Sequence, residues 1–312
     1  NRVRIEGGAF QVLSGTSNQR QWGSHAIIDQ NVFFTGQDFQ VYKVAFSGQS
    51  QEPELVTDPS KELLFGHPAS IPGSQHLLVS VCESLTGWSN CDVGVLNLIT
   101  GDVEVIVHGT TTTTNAVLER KLSKVGLITT KGFRDVLELG RRTRPSAYGL
   151  KGSFIPLVAR ELRMEVDERM DSRGNVYRPL NEKDVTAACR KLLEAGAESL
   201  VIHFLHSYSN GHHEKQAAYI ASKIWPNNYI TTGHSILSEY REYERGVTAA
   251  VNGAVQPILD TYIELLSTEL RNRGYHKDLL VMQGNGGTVS ASVVSDAAVN
   301  TVMSGPASGI IA

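Results

Sequence analysis

The chain has 312 residues, 41 % hydrophobic and 20 % charged, with a formal net charge of −3. That is long enough for one large core or two of ordinary size, in the composition range of a folded, soluble protein. The balance excludes the basic footprint of a nucleic-acid binder, and no run of about 18 apolar residues offers a membrane-spanning helix. No membrane and no nucleic-acid partner is expected, and a cytoplasmic location is. Charge divides unevenly along the chain: residues 1–107 carry five Lys/Arg against eleven Asp/Glu, residues 108–312 twenty-four against twenty-one. This supports a boundary near 107/108 without identifying a partner.

Cys82, Cys91 and Cys189 form neither a disulfide framework nor a zinc spacing. Cys82 and Cys91 are placed to pair across a hairpin, but two unpaired thiols in a reducing compartment are the favoured expectation. Asn1 is not a start methionine, no signal region follows it, and Ser304–Ala312 stops in an apolar run. The sequence therefore reads as a piece cut at both ends.

Residues 1–107 read as short strands separated by turns. Val32–Thr35 ends at Gly36; Val41–Phe46 alternates and stops at Ser47-Gly48; Leu77–Val81 follows the turn Pro72-Gly73-Ser74. Val93–Leu98 then runs through Thr100-Gly101-Asp102 into Val103–Ile106. From 108 the texture changes. Asn115–Lys121 reads as a helix capped by Thr114, Val125–Thr129 as a buried strand, and Gly132–Arg141 as a short helix. Arg160–Val166 alternates like a strand, and Asn181 caps a helix from 182 to 195 that stops at Gly196. Leu200–Leu205 is the clearest buried strand. A helix at 212–224, a strand at 229–232, and a largely helical stretch from 241 to 273 interrupted at Gly253 and Pro257 follow. Leu279–Met282 is a strand leading into Gln283-Gly284-Asn285-Gly286-Gly287. Such alternation predicts a mostly parallel sheet with helices on both faces and ligands at the carboxyl ends of its strands.

Two resemblances organise these elements. Tyr42-Lys43-Val44, Pro53–Thr57, His67-Pro68-Ala69 and Asp92–Leu96 resemble, over about residues 22–107, the blade repeats of TolB-like and prolyl-oligopeptidase-type β-propellers. They supply about two blades where a closed ring needs at least four, which implies open sheet edges. His108–Thr111 with Thr114–Arg120, Gly126–Asp135, Phe204–Tyr208, His213-Glu214, Arg241–Arg245, Met282–Gly287 and Ser304–Ala307 resemble, over about residues 108–312, the ATP-dependent hydantoinase/5-oxoprolinase family, which includes acetone carboxylase β-like chains. Members of that family begin with an apolar strand and a phosphate-binding hairpin. Val3–Phe10 has only a faint likeness to it, lacking both Asp residues and the Thr.

The family resemblance implies an incomplete actin/hexokinase-like ATPase core of α/β class. It also implies ATP and Mg²⁺ as cofactors, a small cyclic amide such as a hydantoin or 5-oxoproline as substrate, and a hydantoinase B-type subunit or domain as partner. Hydrolysis of an unstrained lactam is slow because resonance protects its carbonyl; phosphorylating the amide oxygen makes that carbon electrophilic. His108, Thr110, Thr111 and Asn115 are candidates to orient a phosphate or an acceptor carbonyl, with a plain helix-capping loop as the alternative. Asn285, Gly286 and Gly287 are candidates for close backbone approach to nucleotide. Ser304, Gly305 and Gly309 are placed in a loop before a helix, where N–H groups meet an anion. Arg134 and Asp135 are candidates to pair with the Arg241–Arg245 cluster and clamp a substrate carboxylate; a solvated helix face is the default for that cluster. His203, His206, His212 and His213 are read as structural or surface residues, and no metal site is assigned. His203 and His206, three apart on one strand, are expected on opposite faces. The rival to an ATP-dependent amidohydrolase is a non-catalytic interaction protein whose β segment is the binding surface and whose α/β part is a relic.

Overall fold

Alternating and continuous apolar runs set the elements, which the computed structural model describes over residues 2–4, 10–12, 22–29, 31–45, 53–82, 91–141, 148 and 155–311. In chain order these are β1 (Arg2–Arg4), β2 (Phe10–Val12), β3 (Trp22–Ile28), β4 (Asn31–Thr35), β5 (Val41–Ala45), β6 (Glu54–Leu55), β7 (Leu64–Ser70), β8 (His76–Cys82), β9 (Cys91–Asn97) and β10 (Val103–His108). Then come α1 (Thr112–Glu119), β11 (Val125–Thr130), α2 (Val136–Leu139), β12 (Arg163–Val166), β13 (Arg169–Met170), β14 (Val176–Arg178), α3 (Glu182–Glu194), β15 (Ser199–His203) and α4 (His212–Ala221). The last are β16 (Ile230–Thr232), α5 (Gly233–Ile236), α6 (Glu242–Asn272), β17 (Leu279–Met282), β18 (Thr288–Ser290), a 3-10 segment Val294–Thr301 and α7 (Ser304–Ile311). They fall into two compact units. The first holds Asn1–Gly109, Glu264–Met282 and Gly287–Ser292; the second holds Thr110–Ile263, Gln283–Gly286 and Val293–Ala312.

In the first unit β3, β4, β5 and β6 form an antiparallel meander whose inward residues Val32, Phe34 and Val44 pack with Tyr42. The strands after it do not make a second blade. β7, β8, β9 and β10 are antiparallel, but β10 then pairs in parallel with β17, Ile106 against Leu279, giving a six-stranded mixed sheet in the order β18-β17-β10-β9-β8-β7. A propeller blade is an all-antiparallel sheet of four, so the propeller expectation is not supported. Its cues were local strand and turn residues, which do not reveal a parallel partner supplied from far downstream. Cys82 and Cys91 are direct cross-strand partners of the β8–β9 pair and are joined as a disulfide, their Cα atoms 4.2 Å apart. The expectation of two free thiols is corrected, because facing positions in an antiparallel pair bring Cβ atoms within bridging distance. Of the faint hairpin likeness at the start, Arg2–Arg4 pairs antiparallel with Phe10–Val12, and Ile5–Ala9 lies outside the described residues.

The second unit is an α/β body, but Leu279–Met282, expected within it, belongs to the mixed sheet of the first unit, where β17 pairs with β10. β12, β11, β15 and β16 run parallel in that order, and all six residues of β11 and all five of β15 are buried. Successive residues of β11 show the layering. A Cβ at Gly126 would stand 3.0 Å from Leu192 of α3, whereas the position of Gly253 in α6 faces Val201 of β15 and the side chain of Val125. Neighbouring strand residues point to opposite faces, so α3 and α6 cover opposite sides of the sheet.

Three local expectations need correction. α1 starts at Thr112 with Thr111 at its cap and no side-chain cap bond, so Thr114 is inside the helix. Arg160–Leu162 is a 3-10 turn, and the strand begins only at Arg163. Gly253 and Pro257 do not interrupt α6, which runs unbroken for 31 residues. Gly253 is a contact position there: a Cβ would lie 2.7 Å from Val201 Cγ2.

Candidate functional site

Five consecutive threonines, 110–114, carry the first assembly. Threonine hydroxyls at a helix start ordinarily cap the helix itself, but here Thr111 makes no side-chain cap bond and the hydroxyls of Thr113 and Thr114 bond to the segment 300–305 instead. The Thr113 hydroxyl meets Thr301 Oγ1 at 3.0 Å, and Thr301 in turn donates to the Ala298 carbonyl at 2.7 Å. Thr114 Oγ1 accepts from Met303 N at 2.8 Å, and Ser304 Oγ donates to the Thr110 carbonyl at 2.8 Å. Thr110 Oγ1 donates to Thr112 Oγ1 at 2.9 Å and accepts from Thr112 N at 3.1 Å. Met303 takes the left-handed conformation, φ 66°, which sets Ser304 at the first position of α7. A Cβ on Gly305 would stand 2.5 Å from Thr111 Cγ2, so only glycine allows this approach. The turn 283–286 joins from the other side: Gly284 N donates to the Asn300 carbonyl at 2.7 Å, and Gly286 has φ 84°.

The assembly therefore gathers Thr110, Thr111, Asn115, Asn285, Gly286, Ser304 and Gly305. Ser304 and Gly305 open α7 itself rather than a loop before it, and Gly309 lies within that helix. Thr113, Thr114 and Ser304 are buried and committed to holding the 300–305 segment. Thr111 and Asn115 are exposed, with Asn115 Nδ2 donating to Thr111 Oγ1 at 3.3 Å, and Thr112 is half-buried. His108 and Gly287 belong to the first unit. The buried His108 ring pairs there with Asp92 through Nδ1.

Arg134 and Asp135 do not meet the Arg241–Arg245 cluster in a clamp. Asp135 takes two bonds from Arg160, 3.0 and 3.1 Å, which hold its carboxyl below the usual range; Arg163 adds a third at 3.4 Å. Arg134 contributes its carbonyl to Arg163 at 3.5 Å. In the other cluster Arg245 is fully buried, paired with Glu242 and donating to Ser207 Oγ at 3.1 Å and the Phe204 carbonyl at 3.2 Å. The solvated-face default fails for Glu242 and Arg245, because α6 begins under the loop that follows β15, and holds for the exposed Arg241. Glu244 pairs outward with Arg141.

A second, buried network stands at the carboxyl edge of the parallel sheet, where β11 has β12 on one side and β15 on the other. Ligands of open α/β sheets sit at such switch points. Thr130, the last residue of β11, donates to Glu168 and accepts from Leu205 N at 3.0 Å. The other oxygen of Glu168 lies 2.7 Å from His213 Nδ1. Burial pushes the Glu168 carboxyl above its usual range, against the bonds from Thr130 and His213. Glu214 accepts from Phe204 N at 2.8 Å and from His234 N at 2.8 Å, and lies 2.7 Å from His234 Nδ1. Burial alone would raise Glu214, but these bonds, that from the His234 ring foremost, bring it below the usual range. Burial also raises Glu242, opposed by Arg245. The His203 ring is wholly enclosed, its Nδ1 has no hydrogen-bond partner, and burial pushes its pKa down to about 4.

Sequence reasoning missed this network. β15 ends at His203, so the strand argument separating His203 from His206 does not apply; Glu242 lies 3.6 Å from the first and 3.9 Å from the second. His212 is exposed as expected, but His213 is buried. The one available signal was His203 inside the otherwise apolar run Leu200–Leu205; the segments around Glu168, His213 and Glu214 are polar and carried none. Among the described residues no cluster of three or more His, Cys, Asp or Glu is arranged to hold a metal ion.

The threonine assembly falls inside matched family regions, and so does the second network apart from His234 and Glu242. The hydantoinase/oxoprolinase N-terminal region matches residues 78–225, and the hydantoinase/oxoprolinase region matches residues 245–312. The chain belongs to the hydantoinase/oxoprolinase family. The match begins within β8, upstream of the 107/108 boundary read from the sequence. An uncharacterized protein of Methanocaldococcus jannaschii is 38 % identical over 71 % of this chain and 34 % of its own length. The acetophenone carboxylase gamma subunit of Aromatoleum aromaticum is 31 % identical over 67 % of this chain and 30 % of its own. The caprolactamase subunit alpha of Pseudomonas jessenii is 32 % identical over 67 % and 31 %. The chain thus spans about a third of the length of these curated relatives. The crystal structure of the ATP-dependent caprolactamase from Pseudomonas jessenii superposes with a TM-score of 0.62 at 26 % identity, covering 76 % of this chain and 38 % of that one.

Proposed function

We propose that the chain is part of an ATP-dependent enzyme that activates an amide, or an acceptor in a carboxylation, by phosphorylation. The observation carrying this reading is the set of hydrogen bonds joining Thr110–Thr114, in the first family region, to Thr301–Ser304, in the second. ATP, when bound, supplies the phosphoryl group that turns an amide oxygen into a leaving group. In this reading Thr111, Thr112 and Asn115 present hydroxyl and amide donors at the start of α1, where the helix dipole adds favourable potential for an anion. Thr113, Thr114 and Ser304 position them by fixing the 300–305 segment, and Gly305 lets the start of α7 come close to Thr111. A cyclic amide is the substrate class we assign, with a hydantoinase B-type subunit or domain as partner.

The same residues test the fit of the cofactors. Thr110–Asn115, 283–286 and 300–305 contain hydroxyls, amides and glycines and no carboxylate, a donor set suited to phosphate oxygens. It does not suit Mg²⁺, which is held through carboxylates, and no step here is routed through the metal.

The test is ADP release on addition of a lactam, measured for the chain alone and with a hydantoinase B-type subunit. The expected result is no turnover alone, turnover with the subunit, and a loss of at least about tenfold for Thr111→Val or Asn115→Ala. Unchanged turnover in both variants contradicts the assignment.

A further inference from the structure

The second unit has a cavity of about 300 Å³ that neither network uses. Leu137, Leu139, Ile155, Leu157, Tyr243 and Val247 are among the apolar residues of its lining, which is polar elsewhere. Leu139 and Ile155 are 60 % and 71 % exposed, large apolar side chains left facing solvent at its mouth. Gly140, with φ 52°, brings the main chain against the Tyr243 ring, to which an added Cβ would come within 3.5 Å.

Three charged residues also line the cavity, and two are neutralised. Glu138 receives Arg163 at 3.0 Å, and Arg141 pairs with Glu244. Arg120 differs. Its guanidinium makes one long bond, 3.4 Å, to the Ile155 carbonyl, and it has no carboxylate partner among the described residues. Its place is fixed from behind, because it ends α1 in the left-handed conformation with its N–H on the Ala116 and Val117 carbonyls. The cavity therefore combines an apolar side with one cation that has no carboxylate partner among the described residues. Its volume is at the low end of small-molecule sites. A nucleotide carries several charges and a polar sugar, for which a single guanidinium and an apolar side are a poor match; a neutral ligand would leave Arg120 without a role.

We propose that this cavity binds a small apolar monocarboxylate, its carboxylate on Arg120 and its hydrocarbon body against Leu137, Leu157, Tyr243 and Val247. Arg is suited to the head group because its planar fork meets a carboxylate with two parallel bonds. The site is separate from the threonine assembly and does not depend on the nucleotide reading.

The test is calorimetric or NMR titration of the 312-residue chain with phenylacetate and with its neutral isostere phenylacetamide. Phenylacetate is expected to bind saturably and phenylacetamide about tenfold or more weakly, since a hydrogen bond to a charged group is lost. R120Q, an exposed position whose folding is checked by circular dichroism, should weaken phenylacetate about tenfold and leave phenylacetamide unchanged. V247Q should weaken both. Equal affinity for acid and amide, an R120Q variant that binds phenylacetate as well as the parent chain, or no saturable binding of phenylacetate each overturns the proposal.

Discussion

Thr113 and Thr301 stand 188 residues apart, both fully buried, with their hydroxyl oxygens 3.0 Å from each other. Thr301 spends its proton on the Ala298 carbonyl, so Thr113 donates and Thr301 accepts. The buried Thr113 proton thus depends on Thr301 Oγ1, which makes a specific join between distant segments, because a buried hydroxyl finds no water in its place.

Thr113→Val is therefore expected to destabilise the chain by about 0.5–1.5 kcal/mol, the net worth of one hydrogen bond, since Thr301 keeps its bond to the Ala298 carbonyl. Valine keeps the shape but not the hydroxyl. Thr113→Val combined with Thr301→Val should cost less than the sum of the two single changes, a coupling read from urea unfolding of all four proteins. Strict additivity would mean that the two hydroxyls do not depend on each other.

His203 makes stability depend on pH. Its folded pKa, about 4, lies below the unfolded imidazole value near 6.5, so the unfolded state binds the proton first as pH falls. The contribution is whole above about pH 6.5 and is lost between there and about 4. Between pH 7 and 5 this amounts to about 2 kcal/mol of lost stability. Glu168 and Glu242 act oppositely: their raised values favour the folded state at low pH and weaken it as pH rises. His203→Gln removes only the first effect, so its unfolding free energy should fall less between pH 7 and 5 than that of the parent chain. Equal slopes would show that His203 does not carry the acid sensitivity.

Gly253→Ala separates two roles for a glycine in a helix. On propensity alone alanine should stabilise α6 by about 1 kcal/mol. The new Cβ would stand 2.7 Å from Val201 Cγ2, between the helix and the central sheet. Overpacking of this kind costs about 1–3 kcal/mol, so a net loss is expected. A thermal midpoint equal to or above that of the parent would refute the close contact.

Much of the second unit was legible because its signals are local. Asn181 caps α3 by accepting from Lys183 N and Asp184 N, a pattern written within four residues. The apolar run at β15 is buried throughout, as a central parallel strand must be. The start of α1 was misplaced because the threonine hydroxyls serve partners near residue 300 rather than a local cap. The propeller reading failed for the same reason at larger scale: β10 shows the alternation of a blade strand, and only its register with β17 reveals a mixed sheet. In the site, the threonine run and Ser304-Gly305 were legible from their residue types. The partners of Glu168, Glu214 and Glu242 were not, because loops after three strand ends bring them together and no spacing in the chain encodes that meeting.

The central claim is that the exposed donors at the start of α1 face a nucleotide phosphate. Threonine-methyl NMR of the chain, titrated with ATP, tests it most directly. The account predicts saturable shifts at Thr111 and Thr112 that Asn115→Ala weakens, with Thr231 and Thr186, on β16 and α3, unmoved. Saturable ATP binding that leaves the Thr110–Thr114 methyls in place, or no binding at millimolar nucleotide, would contradict it.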